Sequence, residues 1–152
     1  MLPTFDRNLN RIAELLHSAR YAIAMTGAGM SVESGIPPFR GTGGLWTKYG
    51  NPPMDGYSEF RKDPVAWWHR RTNEKIDAHI MELREALAVA EPHEGHHALA
   101  ELEKGGVIKS VITQNIDGLD CKAGVKNLVE IHGNRTRLRC IECGIRVELG
   151  DF

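Results

Sequence analysis

Three short apolar runs constrain this chain most: Tyr-Ala-Ile-Ala-Met-Thr at 21–26, Val-Ile-Lys-Ser-Val-Ile-Thr at 107–113, and Leu-Val-Glu-Ile-His at 128–132. The first does not alternate in polarity, as expected of a parallel strand covered on both faces. Helical patterns lie before the first run and between the first and the second. Leu9, Ile12, Ala13 and Leu16 fall on one face at helical spacing, with Asp6 or Asn8 placed to cap the start. Asp63-Pro64 opens a second helical stretch, Asp63 as cap and Pro64 in the first turn. That stretch continues through Trp67, Trp68, Ile76, Ile80, Leu83 and Leu87 to Ala90, as more than one helix. A further helix is expected over 93–104, with Ala98, Leu99 and Leu102 facing inward and Gly105-Gly106 ending it. Strands separated by helical stretches define an α/β chain built on a Rossmann-like parallel sheet. The segment 35–56 is rich in Gly and Pro, yet carries Trp46 and Tyr49. It is too long for an idle connection and reads as a functional loop.

Composition removes several classes of function. The chain has 152 residues, room for one domain or one domain with a small appendage, and 19 basic against 20 acidic side chains give a net charge of -1. A basic footprint for nucleic acid is missing, so no nucleic-acid partner is expected. The apolar runs are too short to span a bilayer, and residues 1–20 lack the apolar centre of a signal peptide, so no membrane partner is expected either. Three cysteines, an odd number without an export signal, point to a reducing, cytoplasmic compartment rather than a disulfide scaffold.

Each strand ends at residues able to do chemistry. The first runs into Gly27-Ala28-Gly29-Met30-Ser31, where backbone amides can approach a phosphate. It departs from the dinucleotide fingerprint of dehydrogenases, because Val32 holds the third glycine position and no acidic residue closes a second strand about 20 residues on. The second strand is followed by Gln114-Asn115-Ile116-Asp117, and the third ends at His132 before Gly133. In an open α/β sheet, ligands bind outside the carboxyl ends of the strands, so these three groups can share one crevice. Taken singly, Asp117 is equally readable as a helix cap, Phe39 as a core residue, Arg40 as a solvated charge and His132 as a structural histidine.

The longer string Gly27-Ala28-Gly29-Met30-Ser31-Val32-Glu33-Ser34-Gly35-Ile36-Pro37-Pro38-Phe39-Arg40-Gly41 resembles the cofactor-binding signature of the sirtuins, the NAD-dependent protein-lysine deacylases. Gly44-Leu45-Trp46, then 113–119, then Glu130-Ile131-His132-Gly133, then 138–144 agree with the same family in its order. The resemblance implies that Gly27, Ala28 and Gly29 approach the NAD pyrophosphate, with Arg40 adding charge and Phe39 screening the reacting carbon from water. It implies that Gln114, Asn115 and Asp117 hold the ribose and the nicotinamide carboxamide, and that Ser31, Pro37, Trp46, Ile116 and His132 line the same site. His132 matches the family's general base and, with Asn115, forms the expected catalytic pair; imidazole titrates near neutral pH without perturbation. In the implied reaction NAD is consumed as a co-substrate, nicotinamide leaves, and the acyl group of a protein or peptide lysine passes to ADP-ribose. The remaining histidines, including His96-His97, are read as helix surface.

Cys140 and Cys143 have the spacing of a zinc knuckle and resemble the first half of the family's zinc ribbon, two of the four ligands that a structural zinc takes. A redox pair is the competing reading, and it should precede a helix. Cys121 matches no ligand and is expected as a buried or partly buried thiol. Residues 1–134 are thus expected to form part of an NAD-binding domain with a helical insertion at about 35–92, and 135–152 the start of a zinc-ribbon module. A complete family member continues further, so the sheet here is expected to be incomplete, and self-association through its open edge or through the half zinc site follows. Pro38 stands where a small polar or acidic residue is usual, and Asp120 where His is frequent. Trp68 and Arg71 have the spacing, without the phenol, of the Tyr and Arg that favour acidic acyl groups, so acetyl is preferred over succinyl or malonyl. Two alternatives stand beside deacylation: a catalytically impaired NAD-binding or interaction module, and ADP-ribosyl transfer.

Overall fold

The chain divides into two units in the computed structural model, which describes residues 3–73 and 77–149. One unit comprises residues 1–34 and 91–152, the other Gly35–Ala90, and each is described by itself.

In the first unit, helix α1 (Pro3–Ser18) precedes strand β1 (Ile23–Thr26), which runs into a 3-10 helix over Ala28–Ser34. Helix α6 (Glu94–Lys104; α2 to α5 belong to the second unit) leads to β2 (Ser110–Thr113), the short helix α7 (Leu119–Ala123) and β3 (Leu128–Glu130). The three strands form one parallel sheet in the order β1-β2-β3, with Ala24, Val111 and Leu128 aligned across it. That row faces a core of Ala100, Ile108, Val111 and Val125, against which Leu16, Leu99 and Leu102 pack. The Rossmann-like α/β reading therefore holds, with the core on one face of the sheet.

The other face corrects the expectation of a strand covered on both sides. Ile23 and Met25 are 48% and 65% exposed, and in the row Met25, Ile112 and Val129 the two outer residues are exposed and Ile112 is half-buried. The strands are also shorter than their apolar runs. Residues 107–109 are held by turns, Val107 N–H and Ile108 N–H both donating to the Leu102 carbonyl, and only Lys109 N–H reaches β1, at Ala22. Helix α1 is already formed at Pro3, so neither Asp6 nor Asn8 caps it; Leu9 and Ile12 stay half-exposed. In α6 the inward face is displaced from the expected one: Ala98 is exposed, whereas His96 is fully buried. Cys121 is exposed, because α7 turns Leu119 and Asp120 inward instead.

The second unit is helical: α2 (Leu45–Tyr49), α3 (Gly56–Lys62), α4 (Pro64–Asn73) and α5 (Ala78–Val89). Asp63 caps α4 as expected, its Oδ1 accepting from Ala66 N–H at 2.9 Å. Phe60 meets Trp67 edge-on at 5.2 Å and joins α3 to α4, while Glu82 of α5 accepts from Lys48 and from the Tyr49 hydroxyl of α2. The expected loop at 35–56 thus contains a helix of its own. Ile76 lies outside the described residues. Among the described residues no helix is long and apolar enough to cross a membrane.

Beyond the sheet, β4 (Arg137–Arg139) and β5 (Arg146–Glu148) pair antiparallel, the arrangement that a short hairpin permits.

Candidate functional site

The carboxyl ends of β1 and β2 are tied together by hydroxyls before any of the expected ligand-binding residues begins. Thr26 Oγ1 donates to Thr113 Oγ1 at 2.8 Å, and Thr113 Oγ1 accepts from the backbone N–H of Asn115 at 3.1 Å. Gln114 N–H continues the ladder onto Thr26 O. These bonds fix the first residues of the loop after β2. Asn115 Nδ2 then donates to Gly27 O at 3.0 Å and to Ser31 Oγ at 3.2 Å. Ser31 Oγ in turn donates to Asp117 Oδ2 at 2.7 Å. Asp117 also accepts from Leu119 N–H through its other oxygen, so it turns the chain into α7 while it holds the loop after β1. Gly27, Ser31, Asn115 and Asp117 are therefore one hydrogen-bonded cluster, although about 85 residues of chain separate the two loops.

His132 stands beyond the end of β3. Ile131 N–H still bonds to Thr113 O, and Gly133 N–H closes a turn onto Glu130 O. The backbone is thus held on both sides of His132 while its ring is exposed. Ile116 accepts from Arg135 N–H through its carbonyl and leaves its side chain exposed. Gln114 is exposed as well, with its amide beside Gly27.

Pro37, Phe39, Arg40 and Trp46 lie in the second unit, where the last three form a cluster. Leu45 N–H and Trp46 N–H donate to the carbonyls of Pro38 and Phe39, folding the chain back on itself. Phe39 packs on Trp46 with ring centroids 5.0 Å apart, and the Arg40 guanidinium sits 4.5 Å from the Trp46 centroid, a cation–π contact. Gly44 permits this fold: a Cβ there would lie 2.7 Å from the Arg40 carbonyl carbon, closer than any real contact. Arg71 stacks over Trp67 at 4.3 Å.

Cys140 and Cys143 are free and lie in the turn between β4 and β5, so a strand and not a helix comes directly after them, which disfavours the redox-pair reading. The backbone N–H groups of Cys143 and Glu142 and the Cys143 thiol bond to the Cys140 sulfur and hold its pKa below the ordinary thiol range. A turn that stabilises a thiolate suits a metal ligand. Among the described residues no cluster of three or more metal-ligating side chains occurs.

Reading the sequence missed Thr26, Thr113 and His93. His93 accepts from Gly95 N–H through Nδ1, which leaves Nε2 to donate to the Met30 carbonyl at 2.6 Å, and so ties the start of α6 to the segment after the glycines. Their signal is a polar side chain directly at a strand end or before a helix.

A parallel sheet whose loops gather Gly, Ser, Asn and Asp outside the strand ends has the arrangement in which open α/β sheets bind ligands. The sequence model of the Sir2 family matches residues 27–151. The chain belongs to the Sir2 family. It is 45% identical over 134 residues to the NAD-dependent protein deacetylase of Sulfurisphaera tokodaii, covering 88% of this chain and 50% of that one. It is 40% identical over 147 residues to the NAD-dependent protein deacylase 2 of Archaeoglobus fulgidus, covering 97% and 54%. A Sir2 structure solved with p53 peptide and NAD+ superposes with a TM-score of 0.65 at 33% identity, covering 94% of this chain and 53% of that one. The chain spans about half the length of the curated relatives it matches.

Proposed function

We propose that this chain carries the NAD-binding and NAD-cleaving part of a Sir2-type protein-lysine deacetylase or deacylase, with an acyl-lysine protein or peptide as its partner. The observation that supports this reading best is Gly29. Its φ is not positive, and a Cβ built on it meets nothing within 4 Å, so the fold itself makes no demand for glycine there. A ligand that must come close to the backbone does make that demand. The names of the relatives, NAD-dependent protein deacetylase and deacylase, agree with it.

NAD bound there supplies a ribose anomeric carbon that exchanges nicotinamide for the amide oxygen of the acyl-lysine. Gly27, Ala28 and Gly29 admit the pyrophosphate. Gln114, Asn115 and Asp117 orient the ribose and the carboxamide from loops already cross-linked by Ser31. Ile116 adds to the lining from the loop after β2. His132 would take the proton of a ribose hydroxyl, so that its oxygen can bond to the acyl carbon, and a water would then release the free lysine amine and leave the acyl group on ADP-ribose. Acetyl is the preferred group, since the Arg71 guanidinium is engaged on Trp67. Cysteine usage fits a reducing, cytoplasmic setting.

Mixing the chain with NAD and an acetyl-lysine peptide tests this by mass spectrometry. Free nicotinamide, deacetylated peptide and an acetylated ADP-ribose are expected in equal amounts. A peptide that gains ADP-ribose would establish the transferase alternative, and ADP-ribose binding without nicotinamide release would establish the impaired module.

Cys140 and Cys143 supply two thiolates of a structural zinc site, and a second copy supplies the other two in the isolated chain. The expected zinc content is one ion per two copies, with a dimer mass by light scattering, and Cys140→Ser should abolish both. Metal-free monomers from a zinc-containing preparation would overturn this.

A further inference from the structure

Beneath the cluster of Asn115, Ser31 and Asp117 lie two ionisable side chains that the proposed reaction does not use. His96 on α6 is 0% exposed and Asp120 on α7 is 2% exposed. His96 Nδ1 accepts from His93 N–H at 3.4 Å, as half of the reciprocal cap that starts α6. An imidazole that accepts at Nδ1 carries its proton on Nε2. That Nε2 is buried without a partner among the described groups, and so is Oδ1 of Asp120. One is a donor and the other an acceptor, and the two residues lie within electrostatic reach of each other. Buried donors and acceptors are almost always paired, through water where the protein offers no direct partner. The other carboxylate oxygen, Oδ2, is 3.5 Å from Thr26 Oγ1, whose hydroxyl donates to Thr113, the acceptor of Asn115 N–H.

We propose that His96 and Asp120 are positioning residues for the nucleotide site: His96 Nε2–H is bonded to the Asp120 carboxyl through one internal water, and Asp120 in turn fixes the Thr26–Thr113 hydroxyls that set the Asn115 backbone. The chain of bonds then runs from the cap of α6, through His96 and Asp120, to the Thr113 hydroxyl, which bonds to the Asp120 carboxyl and accepts from Thr26 and from the Asn115 N–H of the loop that holds Gly27 and Ser31. His93, His97, Asp117 and Asp120 are the titratable groups that act on His96, and burial outweighs them to push its pKa down. Protonating Nδ1 would also break its bond with His93 N–H, so His96 stays the Nε2–H tautomer through neutral pH. Burial pushes the Asp120 carboxyl the opposite way, upward, and the Thr113 hydroxyl opposes that shift.

The proposal rests on the cofactor reading only for its ligand arm. Long-range proton–nitrogen spectra of the intact, histidine-labelled chain should show His96 as a single Nε2–H tautomer that does not titrate between pH 6 and 8. In Asp120→Asn, of the same shape, the His96 Nε2–H resonance and the Asn115 amide should both move. ADP-ribose affinity should fall about tenfold, as expected when one hydrogen bond to a charged group is lost. An imidazole titrating near 6.5, or an Asp120→Asn spectrum with His96 and Asn115 unmoved, overturns the pairing. A wild-type chain that binds no ADP-ribose sinks the cofactor reading instead, and the spectra still decide the pair.

Discussion

Replacing His132 by Ala is expected to lower the rate of NAD-dependent deacetylation by about 10²- to 10⁴-fold, the usual contribution of a positioned general base. The comparison is made in a chain that turns over, either this one or this one completed with the portion of a curated relative that it does not span. ADP-ribose affinity and thermal stability should stay where they are. The ring is exposed, and the backbone bonds of Ile131 and Gly133 that hold the position do not involve it. Substitution at such a surface site changes stability by less than about 0.5 kcal/mol. A loss confined to the rate therefore isolates chemistry from folding. Undiminished turnover would remove His132 from the reaction, and loss of binding with equal loss of rate would make it a ligand contact instead of a base.

The strands were legible because short apolar runs leave few other folds open; the helical stretch between the first two implied their parallel pairing, whereas α7, which connects the second to the third, was not read from the sequence. What lay on each face was not legible. A run such as Ile23-Ala24-Met25 reports that both faces are apolar, but only packing decides which face finds a partner; Ala24 meets the core and Met25 is left in solvent. His96 escaped for a related reason. Only apolar residues were used to find the face of α6, although His96 falls on the same helical stripe as Leu99 and Ala100, three and four positions on. A polar residue on an apolar stripe is the signal of a buried, hydrogen-bonded group. Cys121 was expected inward, and it lies outward because the start of α7 is set by Gly118 and Asp117 and not by an apolar pattern.

The candidate site was legible as a list of residues and not as a geometry. No local pattern couples Ser31 to Asp117 or Asn115 to Gly27, because those bonds join loops at the ends of different strands. The resemblance named the partners, and the sheet brings them together through the register Thr26 to Thr113. The two hydroxyls in that register were invisible as site residues, since threonine at a strand end is ordinary β-sheet composition.

Gly29→Ala separates the needs of the fold from those of a ligand. The position lies in the 3-10 helix Ala28–Ser34, its φ is not positive, and the added methyl meets no atom of the chain within 4 Å. Alanine narrows the unfolded ensemble without straining the folded one, so stability should hold or rise by about 0.4–1 kcal/mol. ADP-ribose affinity should nevertheless fall about 10- to 100-fold, because a methyl forced against a close-packed phosphate costs what overpacking costs, about 1–3 kcal/mol. Calorimetric titration and a melting curve on the same sample read both quantities. Gly44→Ala supplies the contrast: there the methyl strikes the Arg40 backbone, so the folded state itself is strained. A Gly29→Ala chain that melts higher and binds ADP-ribose as well as before would place the nucleotide elsewhere. One that melts lower and loses binding would return Gly29 to the fold and leave the cofactor reading without its best support.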